Sequence, residues 1–333
     1  MEPLAIAVAD VSQVSAARLG AQRLAHSLEF DETRKGKLAI AVTEAVTNMM
    51  KHAGGGTLAA RTVQNGEALG IEVMAIDDGP GMDDFAESSR DGVSTTGTAG
   101  TGLGAMRRQS DEFDVYTRHA AGTIVRMVFW NREAPLTRGA YEVGAIVVPK
   151  NGETTCGDAW GMELHANGVT FLVADGLGHG PDASRAAASA VEVLHKHPDT
   201  SAIRILDLAH ARLRPTRGAA LAVIRHDAVA GEISFAGVGN IAACVIDAGA
   251  RRAMVSHNGI VGHNVHKSVE YRYPWPRGSL LVAHSDGLES QWDIAAFPGL
   301  ASRHPAMIAA MLFREHSRQR DDVAVMVARA ARR

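Results

Sequence analysis

Four aspartates in the C-terminal half of the chain stand in short turns, most of which contain glycine, and few other polar side chains surround them. They are Asp158, Asp175, Asp286 and Asp321. Asp175 and Asp286 follow apolar runs typical of buried strands, so their carboxylates are expected at strand ends. Carboxylates packed together repel one another and raise each other's pKa unless cations offset the charge. The pattern therefore predicts bound metal.

The ligand type indicates which metal would bind. Each Asp-Gly pair taken alone is more often an ordinary turn than a ligand, so the prediction depends on all four aspartates together. Hard oxygen ligands without nearby cysteine or clustered histidine favour Mg²⁺ or Mn²⁺ over zinc. Two such ions about 4 Å apart would bind phosphate oxygens and generate a hydroxide nucleophile near neutral pH.

The strands that carry these aspartates belong to the second of two predicted domains. A chain of 333 residues exceeds what one hydrophobic core usually serves. A polar stretch that contains Pro135 separates two strand-like runs and marks a boundary. We predict domains at residues 1–131 and 140–333, joined by a linker over residues 132–139.

Composition narrows the class of protein. Hydrophobic residues make up 46% and charged residues 21% of the chain, which is typical of a globular protein. A net charge of −3 gives no electrostatic case for nucleic acid or an anionic membrane as the main partner. No apolar run approaches the roughly 20 residues that span a bilayer, and the N-terminus lacks a signal-peptide pattern. We therefore expect a cytoplasmic protein without membrane or nucleic-acid partners.

In the first half, a strand is predicted at residues 4–8 and a helix at 12–28. A second helix is predicted to begin after Asp31 as its N-cap and to end before Gly54. On this second helix, Glu44, Asn48 and His52 recur at intervals of four and should project from one side. Alone, such a stripe is more often a solvated helix face than a site.

Two further segments favour a site over a solvated face. The first is the strand end Asp77-Asp78-Gly79-Pro80-Gly81, where a carboxylate that only accepts hydrogen bonds suits the amino group of adenine. The second is a glycine-rich run over residues 97–104 that leads directly into a predicted helix. Glycine amides at a helix N-terminus form an anion site that fits phosphates.

The three segments, in this order, resemble the GHKL nucleotide-binding fold, and in particular the RsbT-type serine kinases. The resemblance covers most of residues 1–131. It implies that Glu44 is the general base and that Asn48 contacts the Mg²⁺ that bridges the ATP phosphates. It also implies that Asp77 reads adenine. The remaining cofactor-binding residues implied are the turn glycines Gly79 and Gly81, the lid glycines Gly100, Gly102 and Gly104, and Thr123 beside the base pocket.

The aspartate set, with the strand over residues 323–327 after the last of them, resembles the SpoIIE/RsbX branch of the type 2C metal-dependent phosphatases. This likeness covers about residues 140–330. It implies that the metal ligands are Asp158, Asp175, Asp286 and Asp321, with the carbonyl of Gly176. It assigns no role to Asp322 or His179. No phosphate-binding arginine precedes Asp158 in the sequence, so the residue that anchors the substrate stays open.

Together the two resemblances imply an α+β protein, in which a GHKL (Bergerat) two-layer sandwich is followed by a type 2C αββα sandwich. They imply ATP and Mg²⁺ as cofactors of the first half and two Mn²⁺ or Mg²⁺ ions in the second. We predict a bifunctional switch that phosphorylates and dephosphorylates Ser or Thr on STAS-domain partners, with a stressosome as a possible scaffold. One alternative is an active phosphatase fused to a nucleotide-dependent anti-sigma or scaffold-binding module. Another is a plain ATPase in the first half.

Overall fold

The computed structural model describes residues 3–82, 102–132, 139–265 and 267–331. The chain divides into two units, residues 1–139 and 140–333. None of the helices in the described ranges is both long and apolar enough to cross a bilayer.

The described residues of the first unit form one antiparallel sheet with helices on one face. Its strands are β1 (Leu4–Val8), β2 (Gly56–Asn65), β3 (Ala68–Asp77), β4 (Glu112–Thr117) and β5 (Thr123–Trp130), in the order β1-β2-β3-β5-β4. Its helices are α1 (Ser12–Ser27), α2 (Glu32–Asn48) and α3 (Gly102–Gln109), and a π-helical segment, Met49–Ala53, continues α2.

Apolar residues at helical spacing explain why α1 and α2 cover the sheet. On α1, Ala21 and Leu24 are buried, and on α2 Leu38 and Val42 are fully buried. They share one core with the inward side chains of the sheet, among them Leu58, Val73 and Met127. The N-cap prediction for α2 is confirmed, because the Asp31 carboxylate accepts a hydrogen bond from the Arg34 amide at 2.7 Å.

The second unit contains two five-stranded sheets. Their strands and those of a two-stranded ribbon are β6 (Tyr141–Val148), β7 (Asp158–His165), β8 (Gly168–Gly176), β9 (Ala219–Asp227), β10 (Glu232–Val238), β11 (Ala242–Asp247), β12 (Ala250–Ala253), β13 (Gly259–Ile260), β14 (Asn264–Val265), β15 (Tyr271–Pro274), β16 (Leu280–His284) and β17 (Val323–Ala330). The first sheet has the order β15-β10-β9-β8-β7 and the second β12-β11-β16-β17-β6, and the ribbon pairs β13 with β14. Helices α4 (Pro181–Lys196), α5 (Ala202–Leu213) and α6 (Pro305–His316) and two 3₁₀ turns, Ile294–Ala296 and Leu300–Ser302, complete the described elements.

Two apolar clusters order these elements into four layers. One cluster lies between the sheets and includes Phe171, Phe235 and Met326. The other joins the first sheet to α4 and α5 through residues such as Leu172 and Leu206. Helix α6 packs on β6 and β17 of the second sheet. The predicted αββα sandwich is therefore confirmed, as is the α+β class.

Two of the longer elements of the second unit were not predicted from the sequence. Strand β7 begins at Asp158 itself, so this aspartate opens a strand instead of standing in a turn. Helix α6 has a recognisable start, because Pro305 occupies its first turn and the His304 ring nitrogen accepts a hydrogen bond from the Ala306 amide at 3.2 Å. The apolar residues of α6 are interrupted by too few polar ones for a helical period to be recognised in the sequence.

Candidate functional site

In the first unit, Asp77 and Thr123 are brought together by the sheet, although 46 residues separate them. The β3–β5 register places them directly opposite each other at the sheet end. The Asp77 Oδ1 atom accepts hydrogen bonds from the amides of Gly79 at 2.9 Å and Thr123 at 3.2 Å. The hydroxyls of Thr123 and Thr117 lie 3.2 Å apart. Two residues that were predicted to form the base pocket therefore share one hydrogen-bonded corner.

The turn after Asp77 packs against the chain's own backbone. Gly81 has φ +67°, and a Cβ there would lie 1.9 Å from the Arg118 carbonyl oxygen. The Gly122 amide donates to the Gly79 carbonyl at 2.9 Å, and the Ala120 amide donates to the Pro80 carbonyl at 2.6 Å. The two glycines thus let this turn lie on the β4–β5 hairpin, a close approach that the sequence had indicated for a ligand.

Glu44 and Asn48 lie one turn apart on α2, and both are half-buried. The continuous stripe predicted through His52 is wrong, because the helix changes to π geometry at Met49. The Gly54 amide donates to the Met49 carbonyl five residues earlier, which widens the turn and rotates the later side chains out of the α-helical register. His52 is exposed on this segment.

Asn48 touches the start of α3. A Cβ on Gly102 would lie 2.7 Å from Asn48 Nδ2 and 2.9 Å from its Oδ1, so only glycine permits this approach. Gly104 is buried in the first turn of the same helix. The N-terminal amides of α3 therefore lie beside the residue predicted to bind Mg²⁺, where helix amides favour anions. Gly100, the third predicted lid glycine, lies outside the described residues.

In the second unit, Asp158 and Asp175 face each other directly. The antiparallel register of β7 and β8 pairs these two residues, and the Gly176 amide donates to the Gly157 carbonyl at 3.1 Å. Gly176 is tightly packed, because a Cβ there would lie 2.1 Å from the Ala183 carbonyl oxygen. Two of the predicted metal ligands are thus fixed as a cross-strand pair.

The surroundings of these two carboxyl groups disfavour their ionised forms. Asp158 is 5% exposed, and its buried Oδ2 has no hydrogen-bond partner within the part of the chain that the structure describes. Burial, followed by the charge of Asp175, raises the pKa of Asp158 well above its usual range, although a hydrogen bond from Ser285 opposes the shift. Burial, followed by the charges of Asp286 and Asp321, raises the pKa of Asp175 to about 7. A bound cation would offset both effects.

Asp286 and Asp321 contribute to this acidic region from the turn after β16 and the turn before β17. Asp286 accepts a hydrogen bond from Asn240 Nδ2 at 2.6 Å, and the exposed Asp321 accepts one from the Asp322 amide at 2.9 Å. Over the ranges that the structure describes, no three His, Cys, Asp or Glu side chains are arranged as a ready ligand set. The charges of Asp286 and Asp321 nevertheless help to raise the pKa of Asp175, and the orphaned Asp158 oxygen and the hard oxygen donors fit Mg²⁺ or Mn²⁺.

Asp322 has a structural role that the sequence did not indicate. This buried carboxylate accepts hydrogen bonds from the amides of Lys150 and Gly157, each at 2.8 Å. It therefore holds both ends of the loop that leads to Asp158. In the sequence, this role was indicated only by the adjacent pair Asp321 and Asp322. Nothing in the sequence shows that the Asp322 carboxylate points into the interior of the unit. His179 is half exposed and pairs with Glu153 at 2.8 Å.

An open polar pocket of about 480 Å³ adjoins the turns that carry Asp286 and Asp321. Its lining comes from residues just after the first aspartate and just before the second: Glu289, Ser290, Gln291, Arg318 and Arg320. These lining residues were not among the sites predicted from the sequence.

Comparisons with known proteins agree with this division of the chain. Residues 7–129 match the family of histidine kinase-like ATPase domains, and residues 165–331 match the stage II sporulation protein E (SpoIIE) family. The serine/threonine-protein kinase RsbT of Bacillus subtilis (strain 168) is 31% identical over 119 residues, which are 36% of this chain and 89% of RsbT.

Two relatives bear on the second unit. The phosphoserine phosphatase RsbX of Bacillus subtilis (strain 168) is 22% identical over 140 residues, which are 42% of this chain and 70% of RsbX. A crystal structure of RsbX in complex with magnesium has the same fold, with a TM-score of 0.51 at 18% identity over 59% of this chain and 98% of that one. A further solved structure is a chain from the bacterial stressosome, a modular system adapted to control secondary messenger signaling. It is 32% identical, with a TM-score of 0.54, and the match covers 57% of this chain and 100% of that one.

The fold and the two sites define a GHKL-type ATPase domain joined to a type 2C phosphatase domain. The chain belongs to the SpoIIE family, and its first unit is an RsbT-like member of the histidine kinase-like ATPases.

Proposed function

We propose that the protein is a bifunctional signalling switch. Its first unit transfers phosphate from ATP to Ser or Thr of a STAS-domain partner, and its second unit removes phosphate from the same or a neighbouring partner. Joining the two activities in one chain raises the effective concentration of each near a shared substrate.

One observation carries the phosphatase half of this proposal. In a SpoIIE-family unit, Asp158 and Asp175 face each other across β7 and β8, and a buried Asp158 oxygen has no partner among the described residues. Burying such a group without compensation is costly. The pair is therefore suited to a cation that completes it.

The residues that would hold two Mn²⁺ or Mg²⁺ ions are those that the sequence predicted: Asp158, Asp175, Asp286, Asp321 and the Gly176 carbonyl. When bound, the ions supply a water-derived nucleophile near neutral pH and charge compensation for phosphate. The magnesium complex of the relative RsbX supports this choice of metal.

The chain's own residues position these ligands. Asp322 holds the loop before Asp158 through the Gly157 amide at 2.8 Å, and Asn240 orients Asp286 through a 2.6 Å hydrogen bond. Hydrogen bonds to the groups around a metal normally fix the direction of its ligands. Asp322 and Asn240 are thus positioning residues.

In the kinase half, Glu44 is proposed as the base that takes the proton of the acceptor hydroxyl. Asn48, one helical turn away, would hold the Mg²⁺ of ATP beside the α3 N-terminus. Asp77 would accept a hydrogen bond from the adenine amino group, with Thr123 beside it. Gly79 and Gly81 shape the turn, and Gly100, Gly102 and Gly104 belong to the phosphate lid.

The proposed partner proteins are suggested by the relatives that the two units resemble. RsbT is a serine/threonine-protein kinase, RsbX is a phosphoserine phosphatase, and a 32% identical chain comes from a stressosome. Their likeness to the two units supports STAS-domain proteins, in a stressosome-like module, as the phosphate acceptors and phosphorylated substrates of this protein.

Two single variants separate the activities. Asp175→Asn disables the phosphatase and leaves the first unit intact, whereas Glu44→Gln disables transfer and leaves the second unit intact. Each is incubated with ATP, Mn²⁺ and STAS-domain proteins from the same organism, and phosphorylation of these proteins is measured by mass spectrometry. We expect phosphorylated Ser or Thr to accumulate with Asp175→Asn, and pre-phosphorylated STAS protein to lose phosphate with Glu44→Gln.

The alternatives predict different results. If Asp175→Asn binds ATP and the STAS protein but never transfers phosphate, the first unit is a nucleotide-dependent binding module. If ATP is hydrolysed without any acceptor, it is a plain ATPase. If Glu44→Gln fails to remove phosphate in Mn²⁺, the phosphatase proposal is wrong.

A further inference from the structure

Arg217 lies beside the turn that follows Asp175. The β8–β9 register pairs Gly176 with Ala219, and the Leu177 amide donates to the Gly218 carbonyl at 3.0 Å. The chain segment that carries Arg217 therefore runs alongside the first residues after the predicted ligand. Sequence reasoning assigned this arginine no role, because 42 positions separate it from Asp175.

The Arg217 side chain is held over this turn. Its Nη1 atom lies 3.0 Å from the position that a Cβ would take on Gly178. Its Nη2 donates to Asp182 Oδ2 at 3.0 Å, and Arg185 pairs with the other oxygen of the same carboxylate. Asp182 is thus shared by two guanidinium groups, and it holds Arg217 beside the turn that follows Asp175.

Stability does not account for this arrangement. The Arg217 side chain is 52% exposed, and exposed ion pairs typically contribute little to folding. Arginine carries five N–H donors in a planar fork, and the pair with Asp182 uses only part of it. Asp182 is the one hydrogen-bond partner of this guanidinium among the described residues, so its remaining donors can bind a planar or tetrahedral anion in two-point geometry.

The acidic region needs such a group. Asp158 and Asp175 face each other across β7 and β8, and carboxylate charge at this point opposes the approach of a phosphate dianion unless positive groups offset it. Within the second unit, the stretch from residue 140 to Asp158 contains no arginine that could serve as an anchor. Arg217 is the arginine that the fold brings next to the turn after Asp175, and Asp182 fixes its direction.

We propose that Arg217 binds the phosphoryl oxygens of the substrate, which makes it the phosphate anchor of the second unit. This inference rests on the phosphatase function proposed above. The ligand class is a phosphate monoester dianion, and inorganic phosphate, the product, shares the same chemistry. An anchor of this kind contributes to binding, so its loss should act on KM more than on kcat.

The test compares Arg217→Ala and Arg217→Lys with the wild type, using the full chain loaded with Mn²⁺. Turnover of p-nitrophenyl phosphate gives KM and kcat, and calorimetry gives the affinity for inorganic phosphate and for Mn²⁺. Arg185→Ala is the matched control, because it removes the other guanidinium from Asp182, one that is more exposed at 68%.

For Arg217→Ala we expect KM to rise and phosphate affinity to fall by about tenfold, the usual effect of losing a hydrogen bond to a charged group. The value of kcat should change by less than about threefold. Arg217→Lys should restore part of the affinity, since it keeps the charge but loses the fork. Arg185→Ala and the Mn²⁺ affinity of every variant should match the wild type.

Equal phosphate affinity and equal KM in wild type and Arg217→Ala would overturn the inference. So would a loss that Arg185→Ala reproduces, because this would indicate a general charge effect at Asp182. A fall in Mn²⁺ affinity for both Arg217 variants would also overturn it, since it would show a structural role in the turn. A wild type without turnover would instead refute the phosphatase function, and phosphate calorimetry would still decide on Arg217.

Discussion

The two sites differ in how completely the chain itself satisfies their carboxylates. In the first unit, Asp77 Oδ1 accepts two backbone hydrogen bonds, from Gly79 and Thr123. In the second, Asp158 is buried with one oxygen that has no hydrogen-bond partner among the described residues, and it faces Asp175, whose pKa is raised to about 7. The first site is thus preorganised by the chain, whereas the second leaves a carboxylate that the proposed cation would satisfy.

This difference predicts that ligand binding has different effects on the two units. A carboxylate held by backbone amides keeps its direction before the ligand arrives, so the nucleotide site depends mainly on geometry. Facing carboxylates store repulsion that a cation relieves, so metal binding and stability are coupled in the second unit. Substitutions and changes of pH should therefore affect the two units differently.

The largest expected effect is on catalysis in the second unit. Asp175→Asn removes a ligand charge, and we expect phosphatase turnover to fall by about 100-fold or more even in excess Mn²⁺. Steady-state hydrolysis of a phosphoserine substrate measures this. Asp247→Asn, an exposed aspartate at the end of β11, is the control and should keep full activity. Turnover like that of the wild type in Asp175→Asn would show that Asp175 is not a ligand.

The second prediction concerns pH and metal removal. Because the pKa of Asp175 is raised from an ordinary 3.8 to about 7, folding favours its protonated form. Its contribution to stability is therefore complete below about pH 4 and is lost as the pH rises through about 7. In chelator, the second unit should melt at a lower temperature at pH 8 than at pH 5. Mn²⁺ should reverse this difference, and Asp175→Asn should flatten it. Melting that is independent of pH in chelator would contradict the electrostatic coupling.

In the nucleotide site, Asp77→Asn tests whether the preorganised carboxylate reads adenine. The amide oxygen can still accept from Gly79 and Thr123, so the fold should be kept while the contact to adenine is lost. We expect ATP binding to weaken by about 1 to 3 kcal/mol, as measured by calorimetry. Asp78→Asn serves as the neighbouring control. Unchanged affinity in Asp77→Asn would remove Asp77 from the site.

The smallest effect concerns a position that belongs to neither site. Gly36 lies within α2, and no atom is within 4 Å of the position of an added Cβ. Gly36→Ala should raise the free energy of unfolding of the first unit by about 0.5–1 kcal/mol, since alanine is the better helix former. Urea titration measures this, and ATP affinity should not change. A loss of ATP binding would show that α2 needs its flexibility to bind nucleotide.

Much of the fold could be predicted from the sequence. The spacing of apolar residues predicted α1 and α2, and apolar runs bounded by turn residues predicted strands such as β1, β8, β16 and β17, because burial imposes those periods on any chain with these folds. The helix start at Asp31 was also recognisable, because a cap depends on neighbours only three residues away. Motif order was enough to indicate both families.

Only the tertiary structure decided the contacts between distant residues. The register of β7 on β8 puts Asp158 opposite Asp175, the inward turn of Asp322 holds the Asp158 loop, and the β8–β9 pairing brings Arg217 to the site. The π turn after Asn48 likewise depends on how α2 ends against the sheet. Strand register and side-chain direction are set by packing across the whole unit, so a local pattern in the sequence does not contain them.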